Sequence, residues 1–281
     1  MAFLQDFDIG EFVTSVLAED LGTGGDVTSN ATIDANARFR AEMNARQTIV
    51  VAGLEIGGAF FRALDPDVRL EMLVNDGAAL EAGSTLLRLE GNARALLAAE
   101  RSALNTLQHL SGVATLTRRY VDEISGTRAV LLDTRKTLPG LRALEKYATR
   151  MGGAQNHRMR LDDGVLIKDN HVAVCGGVAE AVRRAKAANT GLQVQVEVDR
   201  IDQIEPALTA GADRLLLDNM SPQILREAVA VVAGRVPLEA SGGISLETIR
   251  SIAETGVDFI SLGRITQSAP SVDIGLDYTL G

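Results

Sequence analysis

Apolar positions from about residue 112 onward fall into a repeating beat. Short runs that read as strands (AVLLDT, GVLIKDN, LQVQVEV, RLLLDN, VPLEASGG and DFISLGR) alternate with segments such as VAEAVRRAKAAN, IDQIEPALTAGA, SPQILREAVAVVAG and SLETIRSIAETG. In the latter, apolar residues return every three or four positions, the period of a helix with one buried face. Strand and helix in strict alternation, at roughly 20 to 30 residues per unit, predict parallel βα units. Gly211, Gly234 and Gly256 follow the later helices where a helix C-cap is expected.

Residues 1 to about 110 have a different texture. QTIVVAGLEIGGAFFRAL reads as a strand running into a helix, and AALEAGSTLLRLEGNARALLAAERSALNTLQHLSG as a strand followed by a long helix. The chain of 281 residues is 46% hydrophobic and 23% charged, which suits one large globular domain or two modest ones. The formal net charge of -9 argues against nucleic acid or an anionic membrane as a partner, so any positive site must be local. Cys175 is the one cysteine, which excludes an intrachain disulfide and a zinc site built on several thiolates. The opening MAFLQDFDIGEF carries acidic residues and no basic one, the wrong charge for a secretory signal. No apolar run approaches the ~20 residues of a membrane helix, so a cytoplasmic protein is expected.

Six βα units could form an open doubly wound sheet or a closed barrel. Each predicted strand ends in a polar residue or glycine: Arg135 and Lys136, Lys168, Glu197, Asp218, the Ser241-Gly242-Gly243 trio, and Gly263. A barrel opens all strand carboxyl ends onto one face and would gather these residues into one pocket. A Rossmann-type sheet would concentrate its chemistry at a glycine-rich first turn, and no GxGxxG motif stands at such a turn.

The strand-end groups sort by chemistry. Arg135, Lys136 and Lys168, with His157 and Arg158 from GGAQNHR, form a positive set suited to a ligand with several negative charges. Glu197 and Asp218 could accept hydrogen bonds from sugar hydroxyls or hold a hydrated Mg2+ shared with a diphosphate. SGG and LGR, after the last two strands, supply backbone N–H groups that a phosphate can approach. A phosphate, a polyol or metal-diphosphate and a separate polyanion describe phosphoribosyl transfer. No Ser-His-Asp set, HExxH motif or P-loop competes with it.

The segments EDLGTGGDVTS, AERSALNTLQHLSGVAT, DTRKTLPGLRALEKYATRMGGAQNHR, LIKDNH, VEV, LLLDNM, EASGGI and SLGRITQSAP occur in order along the chain. Together they closely resemble quinolinate phosphoribosyltransferase, the carboxylating nicotinate-nucleotide pyrophosphorylase. The resemblance implies an N-terminal α/β sandwich over residues 1–111 and a type II phosphoribosyltransferase barrel of six or seven parallel strands over residues 112–271. Residues 272–281 are then candidates to pack back on the first domain. It also implies a step of de novo NAD biosynthesis: quinolinate and phosphoribosyl pyrophosphate give nicotinate mononucleotide, pyrophosphate and CO2, with Mg2+ required.

Carried over residue by residue, the family pattern assigns the quinolinate carboxylates to Arg135, His157, Arg158 and Lys168, and to Arg101 of a neighbouring chain in a homodimer or higher oligomer. Lys136 with Thr134 belongs near the pyrophosphate. Glu197 and Asp218 match the acidic pair at the ribose and Mg2+, and Ser241, Gly242, Gly243 and Gly263 match the 5'-phosphate cradle. Lys136, Glu197 and Asp218 are the catalytic candidates. Three departures stand out: Gln267 where many members have His, Arg160 where Gly is usual, and Asp163-Gly164 in place of a more hydrophobic pair. His109 reads most simply as a packed helix residue, and His171 reads equally well as a strand-end structural group. Two alternatives stay open: a molybdenum-transport-associated paralogue of the same fold, and a non-catalytic sensor of a phosphate ligand.

Overall fold

The computed structural model describes residues 7–278. In chain order the elements are α1 (Ile9–Leu21), α2 (Val27–Thr32), β1 (Arg38–Ala45), β2 (Ile49–Val50), α3 (Leu54–Leu64), β3 (Arg69–Met72), β4 (Ala79–Leu80), β5 (Thr85–Asn92) and α4 (Ala93–Glu123). There follow β6 (Val130–Leu132), α5 (Arg142–Met151), β7 (Val165–Ile167), α6 (Asp169–Cys175), α7 (Val178–Ala187), β8 (Val194–Val198), α8 (Ile204–Thr209) and β9 (Arg214–Asp218). The chain ends with α9 (Pro222–Val232), β10 (Leu238–Ser241), α10 (Leu246–Ala253), β11 (Phe259–Ser261), α11 (Arg264–Gln267) and β12 (Ile274–Tyr278). It divides into two compact units. One takes the residues up to Thr117, Ala143–Gly153 and those from Ala269 onward; the other takes Arg118–Arg142 and Ala154–Ser268.

The first unit is built on an antiparallel sheet in the order β12-β1-β5-β3, with β2 and β4 paired separately. Burial alternates along β1 and β5, as it must where one face meets a core and the other meets water. Met43, Leu87 and Leu89 point inward, while the outer face carries a ladder of opposite charges. In that ladder Arg40 Nε lies 3.0 Å from Glu90 and Arg88 Nε 2.7 Å from Glu42. Helix α4 buries a stripe of Leu96, Ala99, Ala103, Leu107 and Leu110, spaced by three or four residues. Part of the GTGGDVTS segment is explained locally: Asp26 caps α2 by accepting the Ser29 N–H at 2.9 Å and bonds the Ser29 hydroxyl, which holds its carboxyl below the ordinary range.

The returning C-terminal segment is bound in the same unit. Val272 N–H donates to the Gln108 carbonyl at 3.1 Å, and Gln108 Nε2 donates to the Ile274 carbonyl at 2.8 Å. Strand β12 then pairs antiparallel with β1, Met43 opposite Leu276. Residues 279–281 lie outside the described residues. The crossing over α4 depends on Gly112, where a Cβ would sit 2.2 Å from the Pro270 carbonyl oxygen.

The second unit holds the parallel βα architecture that the sequence predicts, with all six expected runs present as strands in the order β6-β11-β10-β9-β8-β7. A seventh position is occupied by one bridge, Leu132 to Gln155, beyond β6. Among the described residues no ladder joins β7 to that edge. Strands β8, β9 and β10 are almost continuously buried, as expected for a parallel sheet covered by crossover helices.

Parallel pairing fixes which side chains share a face. Glu197, Leu216, Glu239 and Phe259 form one paired row across β8 to β11, and Asp218, Ser241 and Ser261 form a row on the same face two residues nearer the strand ends. The β9 and β10 rows therefore place Asp218 directly beside Ser241.

Because the clash at Gly112 is with backbone rather than a movable side chain, Gly112→Ala is expected to lower unfolding free energy by about 1–3 kcal/mol. Gly24→Ala, at a position with nothing within 4 Å, should stay within about 0.5 kcal/mol of the parent. Urea unfolding of the two variants checks both.

Candidate active site

The strand carboxyl ends of the second unit surround a cavity of about 840 Å³. Of the residues predicted for the site, Thr134, Arg135, Lys136, His157, Arg158 and Lys168 line it on one side of the sequence order. Glu197, Asp218, Ser241, Gly242, Gly243 and Gly263 line it from the later strands. Arg101 is exposed on α4 and is not among the lining residues.

Buried Asp133, at the exit of β6, organises the cationic side. It accepts the His157 N–H at 2.9 Å and Asn156 Nδ2 at 2.5 Å, and so ties the strap through His157 and Arg158 to the DTRK segment. Thr134 Oγ1 accepts the Lys136 N–H at 3.0 Å and fixes the turn that separates Arg135 from Lys136. The Arg135 Nε is buried and has no hydrogen-bond partner in the protein. Burial and the neighbouring charge of Arg135 pull Arg158 below the ordinary guanidinium value. Arg158 is held by donating to the Gly164 carbonyl at 2.8 Å. Two guanidiniums close enough to repel, one with an unmet buried N–H, are arranged for an anion.

The acidic side shows the opposite imbalance. Burial pushes the Glu197 carboxyl up from its ordinary value, and the like charge of Asp218 adds to it, with Lys168 opposing. A cation between Glu197 and Asp218 would relieve this repulsion. Among the described residues no cluster of three or more His, Cys, Asp or Glu offers a full metal cage. Two carboxylates are what Mg2+ takes when a diphosphate and water supply the remaining oxygens.

Lys136 reaches the glycine-rich side. Its stem lies against Gly263, where a Cβ would meet Lys136 Cδ at 2.5 Å, and Thr266 Oγ1 donates to the Lys136 carbonyl at 2.7 Å. Gly242 and Gly243 have φ of 90° and 64°, a left-handed turn that exposes backbone to the cavity.

Several functional neighbours escaped sequence reasoning. Glu239, fully buried on β10, accepts Gln195 Nε2 at 2.8 Å, pairs with Arg214 at 2.8 Å and lies 3.5 Å from His157 Nε2. Burial pushes its carboxyl up, yet hydrogen bonding and charge from His157, with Arg214 and Ser261, bring it below the ordinary range. The His157 Nδ1 accepts the Arg158 N–H at 2.8 Å, which leaves Nε2 to carry the ring proton toward Glu239. Both ring nitrogens thus face protein groups. A lone Glu in an apolar strand, two residues before Ser241, was the available signal for Glu239. Asn219, Ser261 and Arg264 also line the cavity.

The departures from the family pattern have structural places. Gln267 lines the cavity from α11. Arg160 is absent from the lining; its Nε pairs with exposed Asp162 at 3.0 Å. Asp163 accepts the Met159 and Arg160 N–H groups at 2.7 and 3.1 Å, and so builds the loop whose Gly164 carbonyl holds Arg158. His171 Nδ1 accepts the Lys168 N–H at 2.9 Å at the start of α6, a capping role. His109 bonds buried Glu145 at 2.8 Å within the first unit.

Comparison with known proteins gives a consistent result. The family model for the quinolinate phosphoribosyl transferase N-terminal domain matches residues 26–111, and that for the C-terminal domain matches residues 113–277. The nicotinate-nucleotide pyrophosphorylase (carboxylating) of Mycobacterium leprae is 43% identical, with 97% of this chain and 98% of that protein covered. The probable enzyme of that name from Bacillus subtilis is also 43% identical, over 99% of this chain and 96% of that protein. Among solved structures, the nicotinate-nucleotide pyrophosphorylase of Ehrlichia chaffeensis superposes with a TM-score of 0.94 at 41% identity, covering 98% of this chain and all of that one. The two domain matches, over residues 26–111 and 113–277, span nearly the whole chain, and the chain belongs to the quinolinate phosphoribosyltransferase family.

Proposed function

We propose that the protein transfers the phosphoribosyl group of phosphoribosyl pyrophosphate to quinolinate and releases pyrophosphate and CO2, giving nicotinate mononucleotide for NAD biosynthesis in the cytoplasm. The observation that carries this reading is the division of one cavity into two unbalanced halves. Arg135 and Arg158 repel across a space suited to a dicarboxylate, while Glu197 and Asp218 repel beside a glycine turn suited to a ribose phosphate.

In this reading Arg135, Arg158 and Lys168 hold the quinolinate carboxylates and turn the pyridine nitrogen toward the ribose C1 carbon. His157, with both nitrogens facing protein groups, supplies the wall behind them. Ser241, Gly242, Gly243 and Gly263 receive the 5'-phosphate. Glu197 and Asp218 hold the ribose hydroxyls and a hydrated Mg2+, which when bound offsets charge on the diphosphate.

The nitrogen forms its bond to C1 as the bond to pyrophosphate breaks. Positive charge developing on the ribose is stabilised by Glu197 and Asp218, and negative charge on the leaving group by Lys136. The ring is then cationic, so the C2–carboxylate bond breaks with its electron pair staying on C2, which takes up a proton. Orientation of two bound substrates supplies much of the acceleration.

We further propose that Arg101 completes the pocket of a second copy in a homodimer. Its exposure on a helix outside the cavity of its own chain is consistent with service elsewhere.

Incubation with quinolinate, phosphoribosyl pyrophosphate and Mg2+ should yield nicotinate mononucleotide and CO2, with nicotinate inert as a parallel substrate; no turnover, despite binding of phosphoribosyl pyrophosphate, would overturn the reading. Lys136→Ala and Glu197→Ala should each lower kcat by about 10²–10³ with the fold intact by circular dichroism. Mixing inactive Arg101→Ala and Lys136→Ala chains should restore part of the activity, because some hybrid pockets escape both lesions; no recovery means that each pocket is self-contained.

Glu197 also predicts a pH-dependent stability. Its folded carboxyl titrates above the ordinary 4.5, so its ionisation costs stability as pH rises through the raised value and costs nothing below the ordinary one. Glu197→Gln should raise the melting temperature of the ligand-free protein near pH 7.5, a gain that disappears near pH 4. Melting curves at the two pH values read the difference.

A further inference from the structure

Between the acidic pair and the glycine turn stands Asn219, a residue with no role in the reading above. It follows Asp218 at the end of β9 and has φ of 54°, in the left-handed region that costs most side chains energy. From that position three of its polar groups reach two different parts of the cavity wall. The side-chain Nδ2 donates to Asp218 Oδ2 at 2.6 Å. The backbone N–H donates to the Ser241 carbonyl at 2.9 Å. The side-chain Oδ1 occupies the space beside Gly242, where a Cβ would lie 2.3 Å from it and 3.0 Å from the Asn219 nitrogen.

Two consequences follow from this geometry. The Asp218 carboxylate has one oxygen turned and held by a neutral donor, which leaves the other for a ligand. The Ser241–Gly243 turn is seated against the same side chain, so its distance from Asp218 is set by Asn219 as well as by the strand pairing of Ser241 with Asp218. A residue that only needed to adopt a left-handed turn would have no reason to make both contacts.

We propose that Asn219 is a positioning residue that fixes the Asp218 carboxylate relative to the phosphate-binding turn, and so sets the spacing between the ribose and 5'-phosphate subsites. The proposal rests on the assignment of Asp218 and Ser241–Gly243 to phosphoribosyl pyrophosphate. It is specific to that substrate, because nothing in the Asn219 contacts touches Arg135, Arg158 or Lys168.

Asparagine and aspartate tolerate positive φ better than most residues and have the same shape, so Asn219→Asp keeps the turn and replaces the donor with an anion facing Asp218. Asn219→Gly removes the side chain from a backbone that glycine adopts freely. Steady-state kinetics of both variants, with each substrate varied in turn and melting temperature as a check on folding, test the idea.

The expected result is a rise of about tenfold or more in KM for phosphoribosyl pyrophosphate, larger in Asn219→Asp than in Asn219→Gly, with KM for quinolinate within about twofold of the parent. Parent-like kinetics in Asn219→Asp, or an equal rise in both KM values, would overturn the proposal and leave Asn219 a turn former. Asp218→Asn separates this failure from failure of the site assignment. If that variant also leaves phosphoribosyl pyrophosphate kinetics unchanged, the subsite itself is misplaced; if it is impaired while Asn219→Asp is normal, only the role of Asn219 falls.

Discussion

A parallel ladder lets strands leave a sheet in one direction only, and every functional feature of the second unit depends on that constraint. Once β6 to β11 pair in parallel, the residues that end them must meet at one edge. Pairing also fixes the face: Glu197 shares a row with Leu216 and Glu239, and Asp218 shares the next with Ser241 and Ser261. Hydrogen bonds between backbones, which carry no chemical identity, thereby decide which side chains confront one another.

Two of the confrontations at that edge are unfavourable. Arg135 and Arg158 repel, and so do Glu197 and Asp218. Each repulsion raises the energy of the empty cavity and falls when an ion of opposite sign enters, so stability given up by the protein reappears as affinity and orientation. The cavity tolerates this because its charged supports are paired. Asp133 holds the His157 strap with two hydrogen bonds, and Arg214 pairs with Glu239 in the cavity wall.

The departures from the family pattern fit the same logic. Arg160 adds a cation to the sequence near the site, yet Asp162 pairs with it and it is not among the residues that line the cavity. Asp163 and Gly164 form the loop that grips Arg158. Gln267 does reach the cavity, where its amide can still donate a hydrogen bond.

The alternation of apolar and helical periods was enough to determine the parallel βα units, because both periods are local and burial of a whole strand leaves an unbroken apolar run. The charged strand ends were legible for the same reason: Lys168 and Asp218 interrupt such runs where the strands stop. Glu239 and Asn219 were not legible. A buried charge is tolerable only with partners, and those of Glu239 come from residues 157, 195 and 214, which only pairing brings together. The strap of His157 and Arg158 likewise acquires its place from Asp133, more than twenty residues earlier. Sequence determines what each segment buries and exposes, since that depends on its own side chains; tertiary structure decided which buried charges face each other, since that depends on distances between segments that no local pattern encodes.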